Sequence, residues 1–333
     1  MAKQELSTAI IIPVKSFNQR LNKCITECLK LVYSNFKIFV FPDQPFFEFK
    51  GKIEVIPTGN IGPALKRDLA LKHSQAEIFA FLDDDAYPDK NWLKNALRHF
   101  QDKDTAGVGG PALTPDESPV MEKASGYVFS SVLASGKYIY RYVPKETQEV
   151  DDYPSCNFLV RREIFDRLGG FNNNFWPGED TKLCLDITKK LGKKIIYDPQ
   201  AFVFHHRRTL FFPHYKQVAN YALHRGYFVK KFPETSLRFA YFLPSILLIY
   251  FVFGLVMTLF VQSLSFLYYF SMIVYVLLVF IWTFIEIIKE KKIDSNLEKY
   301  KIIFLVTAGI IMTHFTYGLF FVRGLLSGSL DHK

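Results

Sequence analysis

The chain has 333 residues, of which 49% are hydrophobic, 17% aromatic and 22% charged, with a formal net charge of +9 at pH 7. This is long enough for one sizeable α/β domain and an appendage, and the aromatic and other apolar side chains crowd the C-terminal third. The positive charge does not call for nucleic acid, because no recognition motif accompanies it and the basic residues gather beside long apolar stretches, where anionic headgroups attract them.

In chain order, residues 8–14 form a β-branched run that predicts a strand ending at Pro13-Val14, and residues 21–31 have helical spacing. Residues 37–41 read as a second strand stopped by Pro42-Asp43, and residues 53–56 as a third, followed by the loop Thr58-Gly59-Asn60-Ile61-Gly62-Pro63. Residues 64–73 are helical, and the apolar run 78–82 is a strand that stops at Asp83-Asp84-Asp85. Short apolar runs alternating with helices predict an α/β fold with a mainly parallel sheet covered on both faces. Residues 114–153 have weak periodicity and mixed charge and are expected to form a mobile insertion over the site. Cys24, Cys28, Cys156 and Cys184 lack metal-site spacing and are expected to be free thiols.

The aspartate triplet is the strongest chemical signal. Carboxylates at the end of a buried strand lie where open α/β sheets bind ligands, and three like charges so close favour a cation. Mg²⁺ or Mn²⁺ suits such oxygen ligands and shares its other positions with substrate phosphates; the bland alternative is a solvated turn. Gly62, Lys66 and Arg67 are arranged as an anion site at a helix start, or else as a plain turn and a basic helix face. Asp43 either accepts a hydrogen bond from a base or ribose or caps a turn. Glu179-Asp180 opens a helix predicted over 181–191, either as a capping pair or as a general base in a cleft. After a strand-like run at 201–204, His205 could complete a metal site, and Arg207 and Arg208 could clamp a diphosphate.

Residues 237–262, 264–288 and 302–323 are each apolar enough, and long enough for the roughly 20 residues a membrane-crossing helix requires. No secretory signal is read at the N-terminus, so the soluble part is expected to be cytoplasmic. Lys230, Lys231 and Arg238 precede the first span, and Lys289, Lys291, Lys292, Lys299 and Lys301 separate the last two. The positive-inside rule therefore places both basic segments in the cytoplasm and the tail outside. Residues 213–236 read as an amphipathic interfacial helix, which divides the chain into a domain over 1–212, this linker, and a membrane region over 237–333.

Together these motifs resemble the family 2 glycosyltransferases, which have the GT-A (Rossmann-like) fold. The resemblance covers roughly residues 8–208 and is carried by Ile10-Ile11-Ile12-Pro13-Val14, Asp43, Gly62-Pro63-Ala64 with Arg67-Asp68, and Phe81-Leu82-Asp83-Asp84-Asp85, which is similar to the family's DxD element. It continues through Asn157 to Arg161-Arg162, Gly169-Gly170-Phe171, Glu179-Asp180, Asp198-Pro199 and His205. It implies inverting transfer of a sugar from a nucleotide-diphosphate donor, dependent on Mg²⁺ or Mn²⁺. Asp83, Asp85 and His205 would hold the metal. Pro13, Asp43, Gly62, Lys66, Arg67, Asp83, Asp84, Arg207 and Arg208 would form the donor side. Trp176, Gly178 and Glu179 would meet the acceptor, and Asp180, aided by Glu179, would act as base.

The expected acceptor is a polyprenyl phosphate or a lipid-linked saccharide at a cell membrane, and membrane lipids are expected partners. Processive synthases of this superfamily carry QxxRW, whereas the nearest segment here, Gln217-Val218-Ala219-Asn220-Tyr221, lacks both Arg and Trp. A processive synthase and a non-catalytic membrane-anchored binder of nucleotide sugars or glycans are the alternatives.

Overall fold

The computed structural model describes residues 5–46, 49, 51–171, 175, 177–291, 293 and 295–330. They form two compact units: Met1–Leu113 with Tyr140–His206, and Thr114–Ile139 with Arg207–Lys333. The division falls between residues 206 and 207, and the segment 114–139 groups with the C-terminal part.

In the first unit the strands are β1 (Thr8–Pro13), β2 (Phe36–Phe41), β3 (Ile53–Val55), β4 (Ile78–Leu82), β5 (Ala86–Pro88), β6 (Thr105–Gly109), β7 (Ala112–Leu113), β8 (Gln148–Val150), β9 (Asn157–Arg161), β10 (Lys194–Tyr197) and β11 (Val203–His205). Eight of them form one sheet in the order β3-β2-β1-β4-β9-β6-β10-β8. All neighbours are parallel except at β9, which runs against both β4 and β6, and at β8, which runs against β10. The sheet is thus mainly parallel, as expected for an α/β fold. The inserted antiparallel β9 agrees with a GT-A arrangement.

The continuous apolar character of β1 and β4 follows from burial on both faces: all six residues of β1 and all five of β4 are buried. On one face Ile10, Ile12, Ala80 and Leu82 pack with Leu21, Cys24, Trp92 and Leu93. On the other, Phe79 and Phe81 meet Phe165 and Phe171, with ring centroids 5.1–5.9 Å apart. Burying such side chains contributes about 1.5–3 kcal/mol each, so this aromatic cluster fixes the turn that delivers Phe171. The turn needs glycine: Gly169 and Gly170 have φ of 78° and 76°, and a Cβ at Gly170 would lie 2.4 Å from Asp68 Oδ1.

A second, three-stranded sheet has the order β5-β11-β7. Its pairing of His205 with Ala86 carries the imidazole back to the residue that follows the aspartate triplet.

In the second unit, three helices are long and apolar enough to cross a membrane: Phe239–Phe260, the segment Gln262–Ile288, and Asn296–Leu326. The last starts six residues earlier than the apolar run predicts, because the charged turn containing Glu298, Lys299 and Lys301 is also helical. The helix expected at the membrane surface spans Phe212–Lys231 and lies against Asn296–Leu326 at backbone contact. A Cβ on Gly226 would meet the Phe321 carbonyl oxygen at 2.0 Å, and one on Gly324 would meet that of Leu223 at 1.9 Å. His214 is buried in the same packing, between Ser125 Oγ at 2.8 Å and Thr313 Oγ1 at 3.1 Å.

Candidate active site

Strand β4 ends at Leu82, and the chain turns at once, the Ala86 N–H donating to the Asp83 carbonyl at 3.0 Å. The three aspartates therefore share a rim but diverge, and each has its own partner. Asp83 Oδ1 accepts from Arg67 Nη2 at 2.6 Å. Asp84 Oδ2 accepts from Asn18 Nδ2 at 2.9 Å. Asp85 Oδ1 stands 3.1 Å from His205 Nε2. The triplet is accordingly not a set of uncompensated charges, as the sequence suggests. Ligand atoms of Asp83, Asp85 and His205 lie within 4.8 Å of one another. Asp84 has its carboxyl pushed up to about 6, chiefly by burial, against the Asn18 hydrogen bond and with a further push from Asp85 and Asp83.

The helix Pro63–Asp68 is only six residues long, starting at Gly62, and its basic side chains turn inward. Lys66 and Arg67 are each 3% exposed. Lys66 Nζ donates to the Val14 carbonyl at 2.5 Å, just past Pro13, and pairs with Asp43. This corrects the reading of the segment as a solvated basic face, because both cations are buried and paired with carboxylates. Asp68 accepts from the Phe171 N–H at 2.7 Å, so it anchors the glycine turn.

Arg67 also reaches Glu179, Nη1 to Oε1, at 3.4 Å. Glu179 is buried, and Gly178, at φ 130°, donates its N–H to Glu179 Oε2 at 3.0 Å. Burial first, then the neighbouring Asp180 carboxylate, push Glu179 up to about 7, with Arg67 and the backbone N–H groups opposing. Asp180 is held by backbone donors, Oδ1 by the Thr181 N–H at 2.7 Å and Oδ2 by the Ser155 N–H at 3.3 Å. Thr181 Oγ1 in turn donates to Asp152 Oδ1 at 3.1 Å, and Arg141 Nη2 donates to the Asp152 carbonyl at 2.8 Å. Removing one partner of a buried ion pair costs about 3–5 kcal/mol, whereas an exposed pair such as Lys37–Glu54 is worth about 1 kcal/mol or less. The Arg67 bonds therefore matter most to the shape of this site.

The structure thus links Asp83, Asp85, His205, Arg67, Glu179 and Asp180 in one chain of contacts. Asp43, just past the end of β2, is paired with Lys66 on the helix Pro63–Asp68. Arg207 and Arg208 belong to the second unit. Trp176 lies outside the described residues. Sequence reasoning missed Asn18, Ser155, Asp152 and Arg141. Only Asn18 carries a local signal, as the N-cap of helix Gln19–Cys28, accepting from the Leu21 N–H at 2.9 Å.

The raised Glu179 carboxyl has a consequence for stability. A carboxyl whose pKa is higher folded than unfolded stabilises the fold while protonated, and that stabilisation is lost as pH rises from the ordinary 4.5 through about 7. Glu179→Gln is therefore expected to flatten the fall in melting temperature across this window, leaving the smaller slope due to Asp84; a slope identical to that of the unaltered chain would contradict the shift.

Residues 9–169 match the family model described as "Glycosyl transferase family 2". Over these residues, just under half of the chain, the protein is similar to the family 2 glycosyltransferases. Two strains of Mycobacterium tuberculosis, CDC 1551 / Oshkosh and ATCC 25618 / H37Rv, have proteins named "Pre-mycofactocin glycosyltransferase" that are 33% identical to this chain over 206 residues, 60% of this chain and 43% of theirs. The "Glucosyl-dolichyl phosphate glucuronosyltransferase" of Haloferax volcanii is 21% identical over 153 residues, 44% of this chain and 48% of the relative. The chain spans less than half the length of these curated relatives. Among solved structures, the mannosyltransferase PcManGT from Pyrobaculum calidifontis in complex with GDP-Man and Mn²⁺ aligns with a TM-score of 0.48 at 15% identity, covering 67% of this chain and 63% of that one. GalNAc-T7 with UDP, GalNAc and Mn²⁺ aligns at 0.47 and 16%, covering 70% and 51%. The family 2 match includes the aspartate triplet and Arg67, and it ends at Gly169, before Gly170, Phe171, Glu179 and His205.

Proposed function

We propose that this chain is a membrane-anchored, metal-dependent inverting glycosyltransferase that moves a sugar from a nucleotide-diphosphate donor to a membrane-held acceptor. The observation that carries the reading is the contact chain from Asp83, Asp85 and His205 through buried Arg67 to Glu179 and Asp180, in a chain similar to the family 2 glycosyltransferases. The donor set fits a divalent cation: two carboxylates suit Mg²⁺ or Mn²⁺ alike, and an imidazole favours Mn²⁺. When bound, such an ion supplies Lewis-acid neutralisation of the charge that builds on the leaving diphosphate.

The chain's own residues do the rest. Asp85 and His205 hold the donor end, and Asp83 is shared between that end and Arg67. Asp43, steadied by Lys66, offers an acceptor for the nucleoside. Asp180, kept in place by the Ser155 and Thr181 N–H groups, takes the proton from the acceptor hydroxyl, and Glu179 tunes its charge. Attack on the face opposite the leaving group needs one base and no enzyme nucleophile, unlike the paired carboxylates of retaining glycosidases.

A lipid-linked acceptor is supported by the three apolar helices and by the dolichyl phosphate in the name of the Haloferax relative. Lys230, Lys231 and Arg238 before the first span, and the lysines between the second and third, favour a cytoplasmic catalytic unit in a cell membrane. The Mycobacterium relatives carry pre-mycofactocin in their name where the Haloferax relative carries dolichyl phosphate, which favours a second reading, an acceptor other than a polyprenyl phosphate. Incubating the full chain with radiolabelled nucleotide sugars, Mn²⁺ and membrane lipids separates the two. Label extracted into organic solvent is expected, and label found only in water-soluble product would rule out the lipid acceptor.

A further inference from the structure

Arg67 stands between two sets of carboxylates that have separate chemical duties. Its Nη2 is 2.6 Å from Asp83 Oδ1 on the donor side, and its Nη1 is 3.4 Å from Glu179 Oε1 on the acceptor side. The guanidinium is shut away from water, and its Nε is buried with no hydrogen-bond partner among the described residues. Phe171 closes one side, its ring centroid 5.8 Å from the guanidinium carbon. A fork held this way, with one short bond and one long, can redistribute its charge between the two carboxylates with little movement.

We propose that Arg67 is a positioning residue that relays the charge at the donor-side carboxylates to the acceptor-side acid pair. The inference rests on the metal reading above. The charged groups acting on Arg67 are Asp83, Glu179 and Asp180, and those acting on Glu179 are Asp180 and Arg67, together with the N–H groups of residues 178 and 179. Positive charge arriving at Asp83 neutralises the carboxylate that now holds the guanidinium and repels the guanidinium itself. Its hold then passes to Glu179, which favours the charged carboxylate, and the Glu179 proton leaves to solvent. With Glu179 charged, Asp180 binds a proton more strongly and becomes a better base. The base is thereby strengthened only once the donor side is loaded. Because Glu179 is raised to about 7, a modest change in the pull of Arg67 moves this proton near neutrality.

Proton release on metal binding tests the relay without recourse to activity. Saturating MnCl₂ is added to the full chain in detergent micelles, weakly buffered at pH 7 with an indicator dye, while bound Mn²⁺ is counted from the loss of the free-ion electron-spin resonance signal. About half of the Glu179 carboxyls are protonated at a pH equal to their pKa, so the unaltered chain should release up to about half a proton per bound ion more than Glu179→Gln. Arg67→Met should bind the ion yet lose this excess, and Arg67→Lys, which keeps the charge, should recover part of it. Protons from Asp84, next to the ion, are released in every variant and cancel. Equal release from the unaltered chain and Glu179→Gln, or full release from Arg67→Met at equal Mn²⁺ occupancy, overturns the relay and leaves the metal site standing. Should Arg67→Met not fold, the Glu179→Gln comparison alone decides. No Mn²⁺ bound by the unaltered chain overturns the relay together with the metal reading.

Discussion

Asp85→Ala is expected to lower sugar transfer by about 10³-fold, the scale of losing one preorganised electrostatic contact to a developing charge, and to weaken Mn²⁺ binding. Asp85 Oδ1 lies 3.1 Å from His205 Nε2, and strand β11 holds His205 there by its pairing with Ala86. The His206 N–H also donates to the Asp85 carbonyl at 3.0 Å, a backbone bond that alanine retains. The substitution thus removes the carboxylate proposed as a ligand while leaving the local fold in place. Transfer assays over a Mn²⁺ series, with a thermal melt as the folding control, check this; unchanged transfer with unchanged Mn²⁺ dependence would remove Asp85 from the metal site.

Asp180→Asn is expected to lower transfer by about 10²–10⁴-fold, the usual contribution of a positioned general base, with donor binding unchanged. Asparagine keeps one oxygen for the shorter bond, from the Thr181 N–H at 2.7 Å, and turns its amide toward the Ser155 N–H, whose bond to the native side chain is 3.3 Å. Losing that longer bond costs about 1 kcal/mol, which the fold tolerates. The contrast with Asp85→Ala separates the two roles: one variant binds metal and donor poorly, and the other binds them and fails to react. Equal losses of donor binding in both would contradict this division. Retention of transfer by Asp180→Asn would instead bring the non-catalytic binder or a different base back into view.

The parts of the molecule most legible in the sequence are those dictated by local pattern. β1, β2 and β4 are apolar runs ended by Pro or Asp, and the three long helices follow from length and hydropathy. β6 and β9 were not read as strands. In β6, Gly107 and Gly109 lie where a Cβ would strike the Phe158 ring at 2.6 Å and the Tyr153 ring at 2.3 Å. Its glycines thus record a close approach by distant aromatics and look in the sequence like loop. β9 places Asn157 so that its amide donates to the Gly110 and Ala201 carbonyls and accepts from Trp92 Nε1, none of which is a local signal. The site divides in the same way. The aspartate triplet stands out because chemistry and strand end coincide in the sequence. The inward turn of Lys66 and Arg67 depends on carboxylates at residues 43, 83 and 179, and only the fold brings these together. Spacing alone therefore suggests a solvated basic helix face where two buried cations make three ion pairs.

The central claim is that a divalent cation at Asp83, Asp85 and His205 shares one site with the base at Asp180. The most direct measurement is the anomalous scattering of Mn²⁺ in crystals of the full chain soaked with MnCl₂ and a nucleoside diphosphate. A single strong peak in contact with Asp85 and His205, with the diphosphate on the ion and its outer phosphate facing Asp180, is the predicted result. A peak elsewhere, or a diphosphate bound away from Asp180, would contradict the account.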